Sequence, residues 1–350
     1  MTLRQKINAL EKLGAVLLQA GQKKGKLAEF AASSSIYNGW FTEENVLHVF
    51  TEWGKSLVPE QLSRWLEPYS AESYSLEPES PVTIGLIMAG NIPLAGFHDL
   101  LCVLLSGHNA LVKASGDDEK LPRLICEILI SIEPGFKKQI QFTEGRLAKI
   151  DAIIATGSSN SSRYFDFYFG KYPHIIRKNR NSAAVLSGSE SRQQMQLLGK
   201  DVFQYFGLGC RSISKLFVPE GYDFDLFFGG IFDYKNIINH NKYANNYEYN
   251  KTVYLMQGIN LIENGFLLLK EDIGLSSPVA VLFYEYYSNA TELNQRLQMD
   301  SGNIQCLVSG MDNVSRKVEF GSAQSPELWD YADGVDTLKF LQNLRKQPVF

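Results

Sequence analysis

The sequence predicts an α/β protein with parallel strand pairing and a helical segment at its N-terminus. From Val82 onward, short apolar runs rich in valine, isoleucine and leucine alternate with helical patterns. Strands separated by a helix pair in parallel within one sheet. Before Val82 the patterns are mostly helical. A chain of 350 residues is long enough for two domains, or for one large α/β unit with an appendage.

Residues 1–80 are expected to be mostly helical. In FTEENVLHVFTEWGKSL the apolar side chains recur at helical spacing behind Thr42, a residue type that caps helix N-termini. VPEQLSRWLEPY repeats the pattern with a proline near its start. The run SLEPESP then breaks the helical region.

The first strand–helix–strand unit follows directly. VTIGLIMAG and NALVKAS are the predicted strands, and the stretch NIPLAGFHDLLCVLLSG between them is the predicted helix. Gly107 is its expected stop. Five apolar residues fall on one face of that helix: Leu94, Phe97, Leu101, Leu104 and Leu105.

The alternation continues to the end of the chain. The further predicted strands are IDAIIATG, SAAVLSG, SKLFVPEG, SSPVAVLFYEYYS and IQCLVSG. The further predicted helices lie at 121–132, after the turn that follows IDAIIATG, and in QLLGKDVFQYFG and ATELNQRLQMD. The stretch 222–257 is rich in tyrosine, asparagine and phenylalanine, and we expect helix and loop there.

The composition is that of an ordinary globular protein, with 45% hydrophobic and 21% charged residues. A net charge of -4 does not favour an extended nucleic-acid surface. No apolar run approaches the about 20 residues of a membrane span, and the N-terminus lacks a secretory pattern. We therefore expect a cytoplasmic protein with no nucleic-acid partner, no membrane span and reduced thiols.

The four cysteines differ in their surroundings, and none has the spacing of a metal site. Cys102, Cys126 and Cys306 lie within apolar patterns, where cysteine usually acts as a small core residue. Cys210 lies instead between Gly209 and Arg211 in FGLGCRSIS, directly before a predicted strand. From this position alone, Cys210 fits either a buried thiol without a chemical role or a nucleophile.

Three predicted strands end in small or polar residues, in MAGNIP, VKASGDD and ATGSSNSS. Ligands of open α/β sheets bind beyond the carboxyl ends of strands. TGSSNSS, ahead of a helix, fits either a phosphate site or a serine-rich helix cap. Asn91, just past the first strand, fits either a turn-stabilising role or that of an oxyanion donor.

PVTIGLIMAGNIPLAGFHDLLCVLLSGHNALVKAS, IDAIIATGSSNSS and FGLGCRSISKLFVPEG together resemble the aldehyde dehydrogenase superfamily, in the family's order. The resemblance covers roughly residues 80–350 and is greatest for bioluminescence-type fatty acyl-CoA reductases, with the C-terminal VEFGSAQSPELWDYADGVDTLKFL in support. It implies two open, mostly parallel sheets, one for the cofactor and one for catalysis.

The resemblance also implies roles for single residues. Cys210 matches the nucleophile. Asn91 matches the side chain that stabilises the developing oxyanion together with the backbone N–H of the cysteine. The residues that match the cofactor site are Lys113 at the adenosine ribose, Ser115 near it, and Thr156, Gly157 and Ser158 at the pyrophosphate. Glu271 is a candidate for the nicotinamide ribose.

One departure from the family bears on the reaction. Aldehyde-oxidising members carry a glutamate, between the Thr-Gly-Ser turn and the cysteine, that activates water. The corresponding stretch here, IIRKNRNSAAVL, has Arg177, Lys178 and Arg180 and no carboxylate. Without a general base, water attacks an acyl-cysteine slowly. The sequence therefore favours an acyl-CoA reductase, in which a coenzyme A thioester acylates Cys210 and reduction gives a fatty aldehyde.

A second departure bears on the cofactor. NAD-preferring members hold the ribose hydroxyls with an acidic residue at a position where this chain has Ser115 and Gly116. The missing carboxylate and the charge of Lys113 favour a 2′-phosphate. NADPH is the first choice and NADH the second. A homo-oligomer or an acyl-protein synthetase is the expected protein partner, and no metal is expected.

Three other functions remain open from the sequence: an NAD-dependent aldehyde dehydrogenase, a non-redox cysteine acyltransferase, and an acyl-carrying scaffold without catalysis. The expected division of the chain has four parts. They are an N-terminal helical segment at 1–80 that packs on the cofactor domain, a nucleotide-cofactor domain at 81–182, a catalytic domain at 183–310, and a C-terminal segment at 311–350.

Overall fold

The computed structural model describes residues 1–69, 78, 80–157, 159–315 and 317–344. They form two compact units. The first unit contains the chain up to Asn179 and, after the second unit, the chain from Glu327 onward. The second unit is Arg180–Pro326. The four-part division expected from the sequence stays a prediction.

Both units contain helices and strands. The helices are α1 Leu3–Gly21, α2 Lys26–Ser33, α3 Glu43–Ser56, α4 Pro59–Leu66, α5 Phe97–Leu105, α6 Lys120–Ile132, α7 Ser159–Phe169, α8 Arg192–Phe203, α9 Phe224–Ile231, α10 Asn241–Met256, α11 Ala290–Met299 and α12 Thr337–Asn343. The strands are β1 Thr83–Ile87, β2 Asn109–Lys113, β3 Ile140–Phe142, β4 Ala152–Thr156, β5 His174–Arg177, β6 Asn181–Val185, β7 Ile213–Pro219, β8 Ile262–Glu263, β9 Leu268–Glu271, β10 Val281–Tyr287, β11 Ile304–Ser309 and β12 Lys317–Val318.

The N-terminal region is helical, as the sequence predicts. α3 begins where expected, because the Thr42 hydroxyl accepts a hydrogen bond from the backbone N–H of Asn45 at 3.2 Å. α1 packs on helix α5 through a buried lysine, Lys6, whose Nζ donates to the backbone oxygen of Leu105 at 3.2 Å. This bond satisfies one of the carbonyl groups left open at the end of α5.

The first unit contains a five-stranded sheet in the order β3-β2-β1-β4-β5 with every pair parallel. β1 lies at the centre, where it pairs with β2 on one side and β4 on the other. The chain thus leaves β1 toward one edge and later returns to β1's other side. This reversal is a topological switch point, the place where open α/β sheets bind ligands.

The start of α5 differs from the prediction. Asn91 to Leu94 form a loop rather than the first turn of the helix, and Leu94 has a φ of 57°. The prediction that Leu94 shares the helical face of Phe97 is therefore wrong, although both side chains are buried. The expected stop at Gly107 is confirmed, since this glycine follows the helix with a φ of 76°.

The second unit contains a seven-stranded sheet in the order β12-β11-β6-β7-β10-β9-β8. All pairs are parallel except β8 with β9. The central strand β7, which follows Cys210, is largely buried. The mixture of helix and loop expected over 222–257 is confirmed, because α9 and α10 are joined by a 3₁₀ segment.

The C-terminal segment of the first unit is held by a buried ion pair. Arg177, at the end of β5, donates from Nη2 to Asp99 Oδ1 at 2.6 Å and from Nε to Asp99 Oδ2 at 3.1 Å. Its Nη2 also donates to Thr337 Oγ1, and its Nη1 to the backbone oxygen of Ala332. Burial alone raises the pKa of Asp99, but the guanidinium outweighs burial and holds that pKa below its usual value.

Replacement of Asp99 by alanine is expected to destabilise the protein by about 3–5 kcal/mol, because Arg177 would remain buried without a counter-charge. The matched control is Glu119→Ala, which removes the partner of Arg123 in a solvent-exposed pair and should cost at most about 1 kcal/mol. Urea unfolding of both variants measures the difference. Equal losses would show that the buried pair does not hold the C-terminal segment.

Candidate functional site

The parallel register of the first sheet brings several predicted cofactor residues to its carboxyl edge, the edge at which its parallel strands end. Ile87 is level with Lys113 of β2 and with Ala155 of β4. The loop with Asn91, the Lys113–Ser115 stretch and the Thr156–Gly157 turn therefore leave the sheet side by side at the switch point. Asn91 itself is exposed in its loop.

The loop that carries Asn91 is fixed at both sides. Gly90 packs so closely on the next loop that a Cβ there would lie 2.6 Å from Ser115 Cβ, so only glycine fits. Three residues beyond Asn91, the backbone N–H of Leu94 donates to Asp118 Oδ2 at 2.8 Å. This bond offsets the left-handed backbone of Leu94, which costs energy in a residue other than glycine.

Asp118 is a buried carboxylate whose carboxyl faces this loop. Burial raises the pKa of Asp118 to about 7, although the bond from Leu94 lowers it. Because the side chain of Asp118 is turned inward, the exposed acids next to it are Asp117 and Glu119. Sequence reasoning missed Asp118, since the two adjacent aspartates look equivalent in the printed sequence.

Lys113 and Ser115 lie at the end of β2. The Nζ of Lys113 donates to the backbone oxygen of Gly145 at 3.2 Å in an exposed bond. Ser115 Oγ accepts from the backbone N–H of Asp117 at 3.3 Å and so caps a 3₁₀ turn. Lys113 thus presents a partly exposed ammonium at the same edge as the other strand ends.

The turn after β4 brings a helix N-terminus to this edge. A Cβ on Gly157 would lie 2.8 Å from Ser161 Cβ and from a ring carbon of Phe165, so glycine lets α7 start directly against the strand. Ser158 lies outside the described residues. The first turn of an eleven-residue helix, next to Lys113 at the switch point, fits the pyrophosphate of a dinucleotide.

Cys210 differs in its exposure from the other three cysteines of the chain. Its side chain is exposed, whereas Cys102, Cys126 and Cys306 are buried. Burial raises the pKa of Cys126 to about 12 and holds that of Cys102 well above its usual value. The prediction that these three are core residues is confirmed. Among the four, exposure singles out Cys210 as the accessible thiol.

The backbone on both sides of Cys210 is held by neighbouring side chains. Ser182 of β6 donates its hydroxyl to the backbone oxygen of Cys210 at 2.9 Å. The backbone N–H of Gly209 donates to Ser212 Oγ at 3.2 Å, and this oxygen also accepts from Gln324 Nε2 at 3.0 Å. These bonds fix the loop although the thiol itself is exposed.

Arg211, the residue directly after Cys210, is bonded to other parts of the second unit. Its Nε donates to the backbone oxygen of Ala323 at 2.5 Å, and its Nη2 lies 3.8 Å from Cys306 Sγ. The guanidinium is thus used to join the loop to a later segment of the chain.

Glu271 lies at the carboxyl end of β9, exposed and opposite Tyr284 of β10. Tyr284 in turn pairs with Leu216 of β7. Cys210 precedes the first residue of β7, so the two side chains leave this sheet at different levels. Within the described residues, no group of three or more His, Cys, Asp or Glu side chains could hold a metal ion.

In the basic stretch of Arg177, Lys178 and Arg180, Arg177 has a structural role in its pair with Asp99. Arg177 ends β5, and Lys178 and Arg180 lie in the connection to β6. None of the helices in the described ranges combines the length and apolarity that a membrane span needs.

Comparison with known proteins identifies the fold. No protein-family model matches the chain, and no curated protein matches its sequence. Solved structures do match. Aldehyde dehydrogenase 21 from Physcomitrella patens, in complex with its reaction product succinate, gives a TM-score of 0.71 at 13% identity and covers 98% of this chain and 84% of that one.

Two further solved structures are similar. NADP-dependent glyceraldehyde-3-phosphate dehydrogenase from Bacillus halodurans gives a TM-score of 0.61 at 13% identity, over 89% of this chain and 74% of that one. NAD-dependent aldehyde dehydrogenase from Sinorhizobium meliloti gives 0.64 at 12% identity, over 90% of this chain and 72% of that one. The expected aldehyde-dehydrogenase-like α/β fold with two mostly parallel sheets is confirmed.

The pH dependence of stability tests the role of Asp118. Folding raises the pKa of Asp118. The contribution of this group to the free energy of unfolding is therefore fully present below the ordinary pKa of an aspartate, and it is lost as pH rises through about 7. Asp118→Asn keeps an acceptor for Leu94 and removes the titration. Between pH 5 and pH 8 the variant should gain about 2 kcal/mol relative to the unmodified protein, measured by urea unfolding. A difference that does not change with pH would contradict this account.

Proposed function

We propose that this protein is an acyl-CoA reductase that forms an acyl thioester on Cys210 and reduces it to a fatty aldehyde with NADPH or NADH. The coarser part of this proposal, an NAD(P)-dependent oxidoreductase that acts at the aldehyde level, is supported by the fold, which the chain shares with NAD- and NADP-dependent dehydrogenases. The observations that carry the finer part are an exposed cysteine on a fixed loop and a stretch, residues 175–186, that contains no aspartate or glutamate.

The first step belongs to Cys210. Its thiolate attacks the carbonyl carbon of the acyl-CoA thioester, and the bond from that carbon to the coenzyme A sulfur breaks. Coenzyme A leaves as a thiolate and takes up a proton from solvent. Asn91 and the backbone N–H of Cys210 are proposed to stabilise the oxyanion that forms during the attack.

The acyl-cysteine then has two possible acceptors, water and hydride. The stretch 175–186 between the Thr-Gly-Ser turn and the cysteine loop contains no aspartate or glutamate. Since no general base from this stretch activates water, hydrolysis is slow. Slow hydrolysis preserves the thioester for reduction.

The residues at the edge of the first sheet fit a dinucleotide. Lys113, Thr156, Gly157 and the first turn of α7 would hold its adenosine and pyrophosphate parts, with Ser115 and Ser158 as further candidates. When bound in its reduced form, the nicotinamide supplies the hydride for the acyl carbon. Cys210 is then released as a thiolate when the carbon–sulfur bond of the resulting thiohemiacetal breaks.

The charge near Lys113 supports NADPH as the preferred nucleotide. A 2′-phosphate carries negative charge that an ammonium attracts and a neighbouring carboxylate would repel. Asp118 is turned into the protein toward Leu94, so the exposed Asp117 is the acid that remains two residues beyond Ser115. By the resemblance, Ser115 and Gly116 occupy the position where NAD-preferring members carry an acid.

A second candidate function is NAD(P)-dependent oxidation of an aldehyde to a free acid. The names of the similar structures favour it, because two of them are aldehyde dehydrogenases. The acyltransferase and the acyl-carrying scaffold are the non-redox alternatives, and the experiment below separates all four.

The experiment incubates the full chain with long-chain acyl-CoA, with and without NADPH or NADH, and measures nucleotide oxidation, aldehyde, free acid, released coenzyme A and the mass of the intact protein. A parallel incubation supplies aldehyde with NAD⁺ or NADP⁺ and measures nucleotide reduction and free acid. We expect equal amounts of aldehyde and coenzyme A, with faster turnover on NADPH. Cys210→Ala should abolish turnover. Asn91→Ala should lower kcat about 10²–10³-fold, the usual effect of removing one oxyanion donor. Cys126→Ala, which alters a buried cysteine in α6, is the matched control and should retain activity.

Other outcomes would replace the proposal. Free acid formed from added aldehyde with nucleotide reduction, and no turnover of acyl-CoA, would establish the aldehyde dehydrogenase. Acylated protein without nucleotide turnover would favour the acyltransferase. Neither acylation nor turnover would favour the scaffold.

A further inference from the structure

A buried aspartate in the second unit lies two hydrogen-bonded steps from the cysteine loop. Asp201, near the end of α8, is fully buried. Its two carboxylate oxygens accept from the backbone N–H groups of Gly321 and Ala323, at 2.7 Å and 2.9 Å. Asp201 thereby fixes the chain segment 321–324, which follows β12.

The fixed segment in turn holds the residues around Cys210. The backbone oxygen of Ala323 accepts from Arg211 Nε. Gln324, the next residue, donates from Nε2 to Ser212 Oγ, and this hydroxyl accepts from the backbone N–H of Gly209. The side chains of both residues that follow Cys210 are thus bonded to the segment that Asp201 holds.

We propose that Asp201 is a positioning residue for Cys210: through Ala323 and Gln324 it sets the backbone of the cysteine loop. This inference deepens the proposed function and rests on it for the role of Cys210. Asp201 touches no reacting atom in this proposal. It acts only through segment 321–324.

The geometry explains why a carboxylate is used here. The backbone N–H groups of Gly321 and Ala323 both point at the Asp201 carboxyl, and a carboxylate offers two oxygens to accept them. Removal of the carboxylate would leave two N–H groups without partners in a buried position, which is costly. A side-chain amide at the same place would accept one N–H with its oxygen, but its NH₂ group would face the other N–H, and two donors cannot bond to each other.

We call the two hydrogen bonds from Gly321 and Ala323 to the Asp201 carboxyl the clamp, which is closed when both bonds are formed. The carboxyl of Asp201 makes the stability of this clamp depend on pH. Burial raises the pKa of Asp201 to about 6, against the bonds from Gly321 and Ala323 that lower it. The charged or titratable groups that face it are Lys200 on its own helix, Arg211 in the cysteine loop and Tyr234 in the segment after α9. Since the closed clamp binds a proton more tightly than the open one, acid favours closure.

Hydrogen–deuterium exchange of the full chain, followed by peptide mass spectrometry, tests this inference without acyl-CoA or nucleotide. The readouts are the peptides that cover 205–215 and 317–326. In the unmodified protein, exchange corrected for its intrinsic pH dependence should increase in both peptides as pH rises through about 6, because the ionised clamp opens more often. In Asp201→Asn the increase should be absent from both.

Asp201→Ala supplies the second variant. At pH 7 its exchange should rise about tenfold or more in both peptides, because both acceptors are lost. The matched control is Glu190→Ala. Glu190 is also a buried carboxylate of the second unit that accepts two backbone N–H groups, from Ser187 and Gly188. This control should leave peptide 205–215 unchanged.

If the Asp201 variants fail to fold, Gln324→Ala still tests whether segment 321–324 holds the cysteine loop, because it should raise exchange in peptide 205–215 alone. Faster exchange confined to 317–326 in Asp201→Ala would overturn the inference, as would a pH profile that Asp201→Asn leaves unaltered. A missing acyl adduct on Cys210 would instead contradict the proposed function and leave the exchange result intact.

Discussion

A buried carboxylate that accepts backbone N–H groups is the interaction on which both candidate loops depend. Asp118 holds Leu94 and so fixes the loop of Asn91, and Asp201 holds the segment that fixes the loop of Cys210. Loops cannot pair their own backbone groups as helices and strands do, and an unpaired buried N–H is costly. The raised pKa values of both aspartates express the cost of burying the charge that solves this problem.

Most of the architecture could be predicted, because the sequence contains both the spacing of apolar residues and the order of strands and helices. Alternating strands and helices demand parallel pairing, and parallel strands end at one edge, so Lys113 and Gly157 could be assigned to a common edge before any coordinates. β3 and β5 escaped prediction because they are short and carry polar residues. Leu94 was assigned to a helix because its apolar side chain keeps the helical spacing, while its backbone is left-handed.

The residues that position the candidate site could not be predicted, because their partners are far away along the chain. Asp118 and Leu94 are 24 positions apart, and Asp201 and Gly321 are 120 apart. Arg177 lies in a basic stretch of the sequence, and only its pairing with Asp99, 78 positions earlier, shows its buried structural role. A single sequence carries no signal for such pairs, whereas the exposure of Cys210 agrees with its polar setting between Gly209 and Arg211.

The central claim is the proposal that Cys210 forms a thioester which water hydrolyses slowly, since residues 175–186 contain no aspartate or glutamate that could activate water. The most direct test is the lifetime of the acyl-enzyme. Acyl-CoA is added without nucleotide, excess reagent is removed, and the intact mass and a peptide map are followed over time. We predict one acyl group on Cys210 that persists in buffer and disappears when free coenzyme A or reduced nucleotide is added. An adduct that hydrolyses within one turnover time, or that maps to another residue, would contradict the account.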